Sequence, residues 1–139
     1  MFSKKIAYGL PAFITAGVFF YVSSLEKIEL PLDMISFNDL LFHGTAYFFF
    51  GITLMVAAYP WHMYLDYPLR TYFILIVIGM LYGLSDEIHQ SFVPNRTCTI
   101  GDFLADSAGV ILALAAGRMW IKKRRICCTH RRYTLFKEQ

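Results

Sequence analysis

Charged side chains are scarce in this chain of 139 residues, since Asp, Glu, Lys and Arg make up only 17% of it. Ordinary soluble domains carry roughly 25%. Apolar residues reach 57% and the mean hydropathy is +0.48, which excludes a disordered chain. A net charge of only +3 argues against nucleic-acid binding, and three cysteines are too few for a disulfide scaffold. A small polytopic membrane protein is the class that remains.

Four long apolar runs cover residues 6–25, 40–59, 71–91 and 100–121. About 20 residues of helix cross a hydrocarbon core of ~30 Å, and the connections between the runs are short. We therefore predict an all-α fold, an integral membrane four-helix bundle of up-down topology. A single transmembrane domain fills residues 1–121, and a basic tail follows at 122–139. A cleaved signal peptide is an alternative interpretation of the first run, and its removal would leave the remaining topology unchanged.

Basic residues are distributed unequally between the two predicted sides of the membrane. Eleven Lys and Arg residues fall with the two termini and the second loop, and two, Lys27 and Arg96, fall on the other side. The positive-inside rule then predicts a multi-pass protein of the cell membrane with both termini in the cytoplasm. The basic tail is expected to face anionic lipid headgroups, so membrane lipids are the predicted partners and nucleic acid is not.

Polar residues gather at the predicted outer ends of three helices and in the loop between the last two. Ionisable groups at membrane depth are costly, and they are usually functional. These polar residues are His43, Asp86, Glu87, His89, Gln90, Arg96, Asp102 and Asp106. We predict that four of them, His43, Glu87, Arg96 and Asp106, line one cavity near the outer leaflet, although an ion-pair network that only locks the bundle is the structural alternative.

Two ordered motifs contain most of these residues. The first is Asp39-x-x-x-His43-x-x-x-Tyr47. The second combines Glu87-x-x-Gln90, Pro94-Asn95-Arg96 and Asp102-x-x-x-Asp106-x-x-Gly109. Together they resemble the signature of the VanZ-like membrane proteins, over roughly residues 39–117.

The chain departs from that family's pattern at three positions. Leu40 stands where the family often has Lys, Asn95 where Gly is common, and Asp106 where Asn is frequent. The resemblance implies a multi-pass cell-envelope factor, and the family's named member is associated with resistance to the glycopeptide teicoplanin.

The first functional hypothesis is a polar outer-leaflet site that binds an envelope lipid or a glycopeptide. We expect Arg96 to clamp Asp102 in a two-pronged hydrogen bond and to present charge to the ligand. The remaining ligand contacts are expected from Gln90, Asp102, Tyr47 and His89.

Three alternatives stay open beside this hypothesis. An enzyme acting on a lipid-linked substrate would use Glu87 or Asp106 as general acid or base, with His43 or His89 as partner. A divalent-cation site would draw its ligands from Asp86, Glu87, Asp102, Asp106 and a histidine. A channel or proton-coupled transporter would need the small chain to oligomerise. The sequence contains no nucleophile elbow, phosphate loop or zinc-protease helix, and it identifies no cofactor.

Overall fold

A computed structural model of the chain describes residues 2–26, 35–61, 68–96 and 98–137. All regular structure in this part is helical: α1 (Phe2–Ala7), α2 (Leu10–Ser23), α3 (Ile35–Ala58), a 3₁₀ turn (Tyr59–Trp61), α4 (Pro68–Gln90) and α5 (Ile100–Lys137). Four stretches are long and apolar enough to cross a membrane: Lys5–Ser23, Asp39–Ala58, Leu69–Gln90 and Ile100–Lys123. The predicted all-α bundle of four membrane-spanning helices is confirmed.

The first span is interrupted where one continuous helix was predicted. A turn at residues 8–9 separates α1 from α2, with the Gly9 amide bonded to the Ile6 carbonyl. Pro11, at the start of α2, has no amide hydrogen to continue the helical ladder, and its ring crowds the carbonyl four residues earlier. The break follows from this proline.

The last helix, in contrast, runs past its predicted end at residue 121. Its 38 residues reach Lys137, which at ~1.5 Å per residue exceeds a ~30 Å core by far. No Gly or Pro follows Gly117, so the chain lacks a residue that would stop the helix there. The predicted basic tail is therefore helical up to Lys137, and its last two residues lie outside the described residues.

Glycines set the distance between α3 and α5, the two most extensively packed helices. A Cβ atom at Gly109 would collide with the Gly44 carbonyl and lie 2.9 Å from the Phe48 nitrogen. One at Gly51 would lie 2.8 Å from the Cβ atom of Ala113. Small residues are what allow membrane helices to approach this closely.

A core of large apolar side chains fills the space between α3, α4 and α5. It consists of Tyr47, Phe50, Leu54, Ala58, Tyr72, Leu75, Val110 and Leu114. The alternating chain direction brings four helix ends together above this core: the C-termini of α2 and α4 and the N-termini of α3 and α5. We call this the polar end, because it contains the buried ionisable residues.

Candidate functional site

His43, Glu87 and Asp106 meet inside the polar end, each from a different helix. The His43 Nδ1 atom lies 3.0 Å from Asp106 Oδ1, within hydrogen-bond distance, and 3.9 Å from Glu87 Oε1. All three residues are buried, with 8%, 1% and 1% of their surface exposed. We call them the buried trio.

A close approach of α4 to its neighbours makes this meeting possible. A Cβ atom at Gly83 would lie 3.3 Å from both Asp106 Cβ and Tyr47 Cε1, so a larger residue would press against both helices. Glu87 follows Gly83 by one helical turn and therefore lies on the same face of α4. The glycine thus lets the Glu87 carboxylate come near His43.

Thr99 holds both the start of α5 and one oxygen of Glu87. Its hydroxyl accepts a hydrogen bond from the Asp102 amide (3.1 Å) and donates one to Asp102 Oδ2 (2.7 Å), while its own amide donates to Glu87 Oε2 (3.2 Å). Thr99 is thus the N-cap of α5. The sequence analysis missed it, although Thr99-x-x-Asp102 carries the Ser/Thr-x-x-acid spacing of a capping motif.

Arg96 does not clamp Asp102, and this prediction was wrong. Its Nη2 donates to the Val22 carbonyl (3.0 Å) and its Nε to the Leu25 carbonyl (3.2 Å), both at the C-terminus of α2. Carbonyls at a helix C-terminus lack partners within the helix and carry partial negative charge, so a cation is favoured there. Asp102 instead satisfies its side chain on Thr99.

His89 also turns toward α2 and away from the buried trio. Its ring stacks on Phe20 with centroids 4.5 Å apart, and its Nε2 lies 2.9 Å from the Ser24 hydroxyl. The ligand role of His89 stays a prediction, and the contacts of its ring with Phe20 and Ser24 help to attach α2 to the bundle.

A cavity of about 140 Å³ lies next to the buried trio, between α2, α3 and α4. Its polar wall includes His43, Tyr47, Asp86, Gln90 and Arg96, and its apolar wall comes from Val18, Phe19, Val22, Phe42 and Ala46. Val18 and Phe42 are 52% and 63% exposed. The apolar side of the cavity therefore reaches the outer surface of the bundle between α2 and α3.

Comparison with known proteins places the chain in a family. A sequence model described as VanZ/LLP1 matches residues 6–121. The chain belongs to the VanZ/LLP1 family. It is also 30% identical over 94 residues to the uncharacterized protein C11E3.10 of Schizosaccharomyces pombe. That alignment covers 68% of this chain but only 55% of the yeast protein, so the chain spans about half the length of this relative. No solved structure matches the chain.

One departure of this VanZ/LLP1 chain from the family pattern has a direct conformational meaning. Asn95, which stands where Gly is common, has a φ of 59°. This left-handed conformation suits Gly best and is tolerated by Asn better than by most other residues. The turn that aims Arg96 at α2 is thereby kept without the glycine.

Four buried oxygen atoms of the site have no hydrogen-bond partner among the described residues. They are Tyr47 Oη, Asp86 Oδ1, Glu87 Oε1 and Asp106 Oδ2. The other Asp86 oxygen accepts a hydrogen bond from Gln90 Nε2 (3.0 Å). Buried polar atoms are normally satisfied, and unsatisfied ones call for an explanation such as a ligand, an ion or water. Three of the four are carboxylate oxygens, so the site of this VanZ/LLP1 chain offers acceptors more than donors.

Proposed function

We propose that this VanZ/LLP1 chain is a cell-membrane protein whose polar end binds the headgroup of an envelope lipid at the outer leaflet. A glycopeptide is the other ligand class that the family resemblance suggests, and teicoplanin tolerance is the cellular activity we expect. One observation carries the proposal: the cavity joins polar residues on one side to an apolar opening between α2 and α3 on the other.

The two walls of the cavity match the two halves of a lipid. Gln90 and Arg96 offer hydrogen-bond donors to a headgroup, since two of Arg96's nitrogens bind α2 while its Nη1 retains donors. Val18 and Phe42 border the opening with apolar surface, where acyl chains in the bilayer can lie. A lipid could thus enter sideways without its chains leaving the hydrocarbon region.

Filling the cavity tests the proposal. Ala46 lines the cavity, so the Ala46→Leu variant should occupy part of it. Ala115→Leu is the matched control, since Ala115 is exposed on α5 and borders no described cavity. Native mass spectrometry of the purified proteins should show a retained lipid in the wild type and in Ala115→Leu, and little in Ala46→Leu. Equal lipid retention in all three proteins would contradict the proposal.

The same pair of variants tests the cellular activity. In a glycopeptide-sensitive host, expression of the wild type and of Ala115→Leu should raise teicoplanin tolerance, and Ala46→Leu should not. If the wild type leaves tolerance unchanged while still retaining a lipid, the headgroup site stands and the resistance role is withdrawn.

The outward placement of the polar end rests on the asymmetric distribution of basic residues, and cysteine labelling tests it. Cys98 is an exposed free thiol beside the polar end, whereas Cys127 and Cys128 lie in the tail, with side chains outside the described residues. Local desolvation, followed by the Glu87 charge, raises the pKa of the Cys98 thiol. Because only the thiolate reacts, labelling of Cys98 should accelerate as the pH rises above neutral.

An impermeant maleimide applied to intact cells should therefore label Cys98 and leave the tail cysteines unlabelled. A Cys98→Ser variant gives the background. Labelling confined to the tail cysteines would place the polar end at the cytoplasmic leaflet and overturn the proposed orientation.

A second candidate function, acid–base catalysis on a lipid-linked substrate, is favoured by the His43–Asp106 hydrogen bond. A carboxylate on Nδ1 orients the imidazole and stabilises its protonated form, which leaves Nε2 to exchange a proton. His43 also lines the cavity. Glu87→Gln distinguishes the two functions: a binding site should retain the lipid, while a reaction that needs the Glu87 carboxylate to take up a proton should stop.

A further inference from the structure

We propose that the buried trio binds a divalent transition-metal cation, Zn²⁺ or Mn²⁺, through His43 Nδ1 and one carboxylate oxygen each of Glu87 and Asp106. The proposal goes beyond the lipid site, which does not require a metal. It gives the buried carboxylates of the trio a counter-charge in the form of a specific ligand.

The geometry of the trio is that of a ligand set. One donor atom from each residue lies within 4.8 Å of the other two, and Nδ1 is 3.0 Å and 3.9 Å from the two carboxylates. Ligands bound at about 2.1 Å are separated by roughly 3.0–4.2 Å, depending on the angle at the metal. The two measured separations fall in this interval, and the third pair of donor atoms lies within 4.8 Å.

Unsatisfied atoms provide evidence independent of the clustering. Glu87 Oε1 and Asp106 Oδ2 have no hydrogen-bond partner among the described residues. Both residues are 99% buried, so bulk water does not satisfy these oxygens. Of the two Glu87 carboxylate oxygens, Oε1 is the one that lies 3.9 Å from His43 Nδ1, and the Thr99 amide holds the other. The free oxygen therefore points into the trio, where a cation would satisfy it.

Charge at the polar end also favours a cation. Asp86, Glu87, Asp102 and Asp106 are all buried there. Among the described residues, Arg96 is the single Arg or Lys at this end, and its bonded nitrogens face α2. Buried carboxylates need a counter-charge or a metal, and His43 alone supplies at most one positive charge.

The donor types narrow the choice of metal. An imidazole nitrogen disfavours Mg²⁺ and Ca²⁺, which prefer oxygen ligands, and the absence of sulfur from the trio disfavours Cu⁺. Three protein ligands leave a further coordination position open. Since His43 also borders the cavity, the open position could receive a lipid phosphate, a step that rests on the proposed function.

Metal titration of the purified protein tests the site directly. The protein is stripped with a chelator in lipid-free detergent and titrated with Zn²⁺ and then Mn²⁺, using calorimetry and elemental analysis. We expect one ion per chain. Glu87→Gln and Asp106→Asn keep the side-chain shapes but remove charged ligands, and each should weaken binding at least about tenfold.

Asp102→Asn is the matched control, because Asp102 is a buried carboxylate at the same end that binds Thr99 and lies outside the trio. It should bind metal within about twofold of the wild type. Equal weakening in this control would reduce the effect to diffuse charge, and no binding by the folded wild type would overturn the proposal. Co²⁺ provides a second readout, since d–d absorption should appear with the wild type and disappear with Glu87→Gln.

This experiment is separate from the lipid test. Metal binding without lipid retention leaves the cation site standing and removes the headgroup proposal. Lipid retention by a protein that binds no metal leaves the headgroup site standing and removes the cation site.

Discussion

Helices α5 and α2 are attached to the bundle by different chemistry. α5 meets α3 backbone to backbone, with Gly44 and Gly109 in direct contact. Few apolar side chains of α2 reach the core, and those that do, such as Ala12 and Phe19, are only partly buried. Polar side chains from α4 and the following loop hold α2 in addition: Tyr82 Oη donates to the Ala16 carbonyl (2.6 Å), and Arg96 binds the α2 C-terminus. Backbone atoms in contact at a glycine cannot move aside for a larger side chain, so the α3–α5 contact is lost as a whole. The hydrogen bonds to α2 contribute separately, so each can be removed by one substitution.

This difference matters for the site. The tightly packed helices α3 and α5 supply His43 and Asp106, whose separation must be accurate for a hydrogen bond or a metal. α2 supplies only the outer wall of the cavity, through Val18 and Val22. We therefore expect the trio to be rigid and the cavity wall to be the easier part to displace.

The largest effect should come from breaking the α3–α5 contact. In Gly109→Leu the new side chain would occupy the position of the Gly44 carbonyl and the Phe48 amide, and backbone atoms of a packed helix cannot move aside. Overpacking costs about 1–3 kcal/mol where side chains can adjust. Because this clash is with backbone atoms, the cost should exceed that range, and we expect loss of the folded bundle, seen as absent cooperative melting in circular dichroism. Gly17→Leu is the control, since nothing lies within 4 Å of a Cβ atom there, and its melting should match the wild type.

The next largest effect concerns the trio. His43→Ala removes the hydrogen-bond partner of Asp106 Oδ1 and leaves a buried carboxylate uncompensated, a type of change that costs about 3–5 kcal/mol. We expect SDS-induced unfolding, measured with a chelator present, to show that the free energy of unfolding falls by about 3 kcal/mol. The double variant His43→Ala/Asp106→Asn should recover part of it, because the unpaired charge is gone. No difference between the single and double variants would mean that the pair contributes no electrostatic stability.

A smaller loss of stability is expected when Arg96, which attaches α2 to the bundle, is replaced. Arg96→Ala loses two hydrogen bonds to α2 carbonyls, one of them exposed, and should cost about 1–2 kcal/mol. Hydrogen exchange should increase in the last turn of α2 while α3 and α5 stay protected. Arg96→Lys keeps the charge but lacks the planar fork that reaches both carbonyls. Its exchange rate in the last turn of α2 should therefore lie between those of the wild type and Arg96→Ala. Faster exchange throughout the bundle would show that α2 is not an independently held element.

The smallest effect should come from Tyr82→Phe, which deletes only the hydroxyl bonded to the Ala16 carbonyl. Hydrogen bonds between membrane helices contribute about 0.6 kcal/mol on average. We expect a loss of this size in SDS-induced unfolding and faster exchange in the middle of α2. A loss as large as that of His43→Ala would contradict the difference drawn between the two attachments.

Sequence reasoning reached the spans and the family, since both depend on local patterns. Apolar runs of membrane length predict helices, and the motifs around His43, Glu87 and Asp106 supported the resemblance that family membership confirms. The break before Pro11 and the N-cap at Thr99 were also readable locally but were overlooked. Arg96 was assigned to a carboxylate close to it in sequence, because side-chain patterns do not reveal which backbone carbonyls a distant helix end presents.

The sequence by itself determined that four helices are long and apolar enough to cross a membrane and that the buried carboxylates and His43 lie at one end, because hydrophobic length and the cost of buried charge are properties of each segment. Only the tertiary structure decided which polar atoms meet. The distance from His43 to Asp106 depends on how closely α3 and α5 approach at Gly44 and Gly109. Such contacts between segments far apart in the chain are set by packing in three dimensions and leave no periodicity in the sequence.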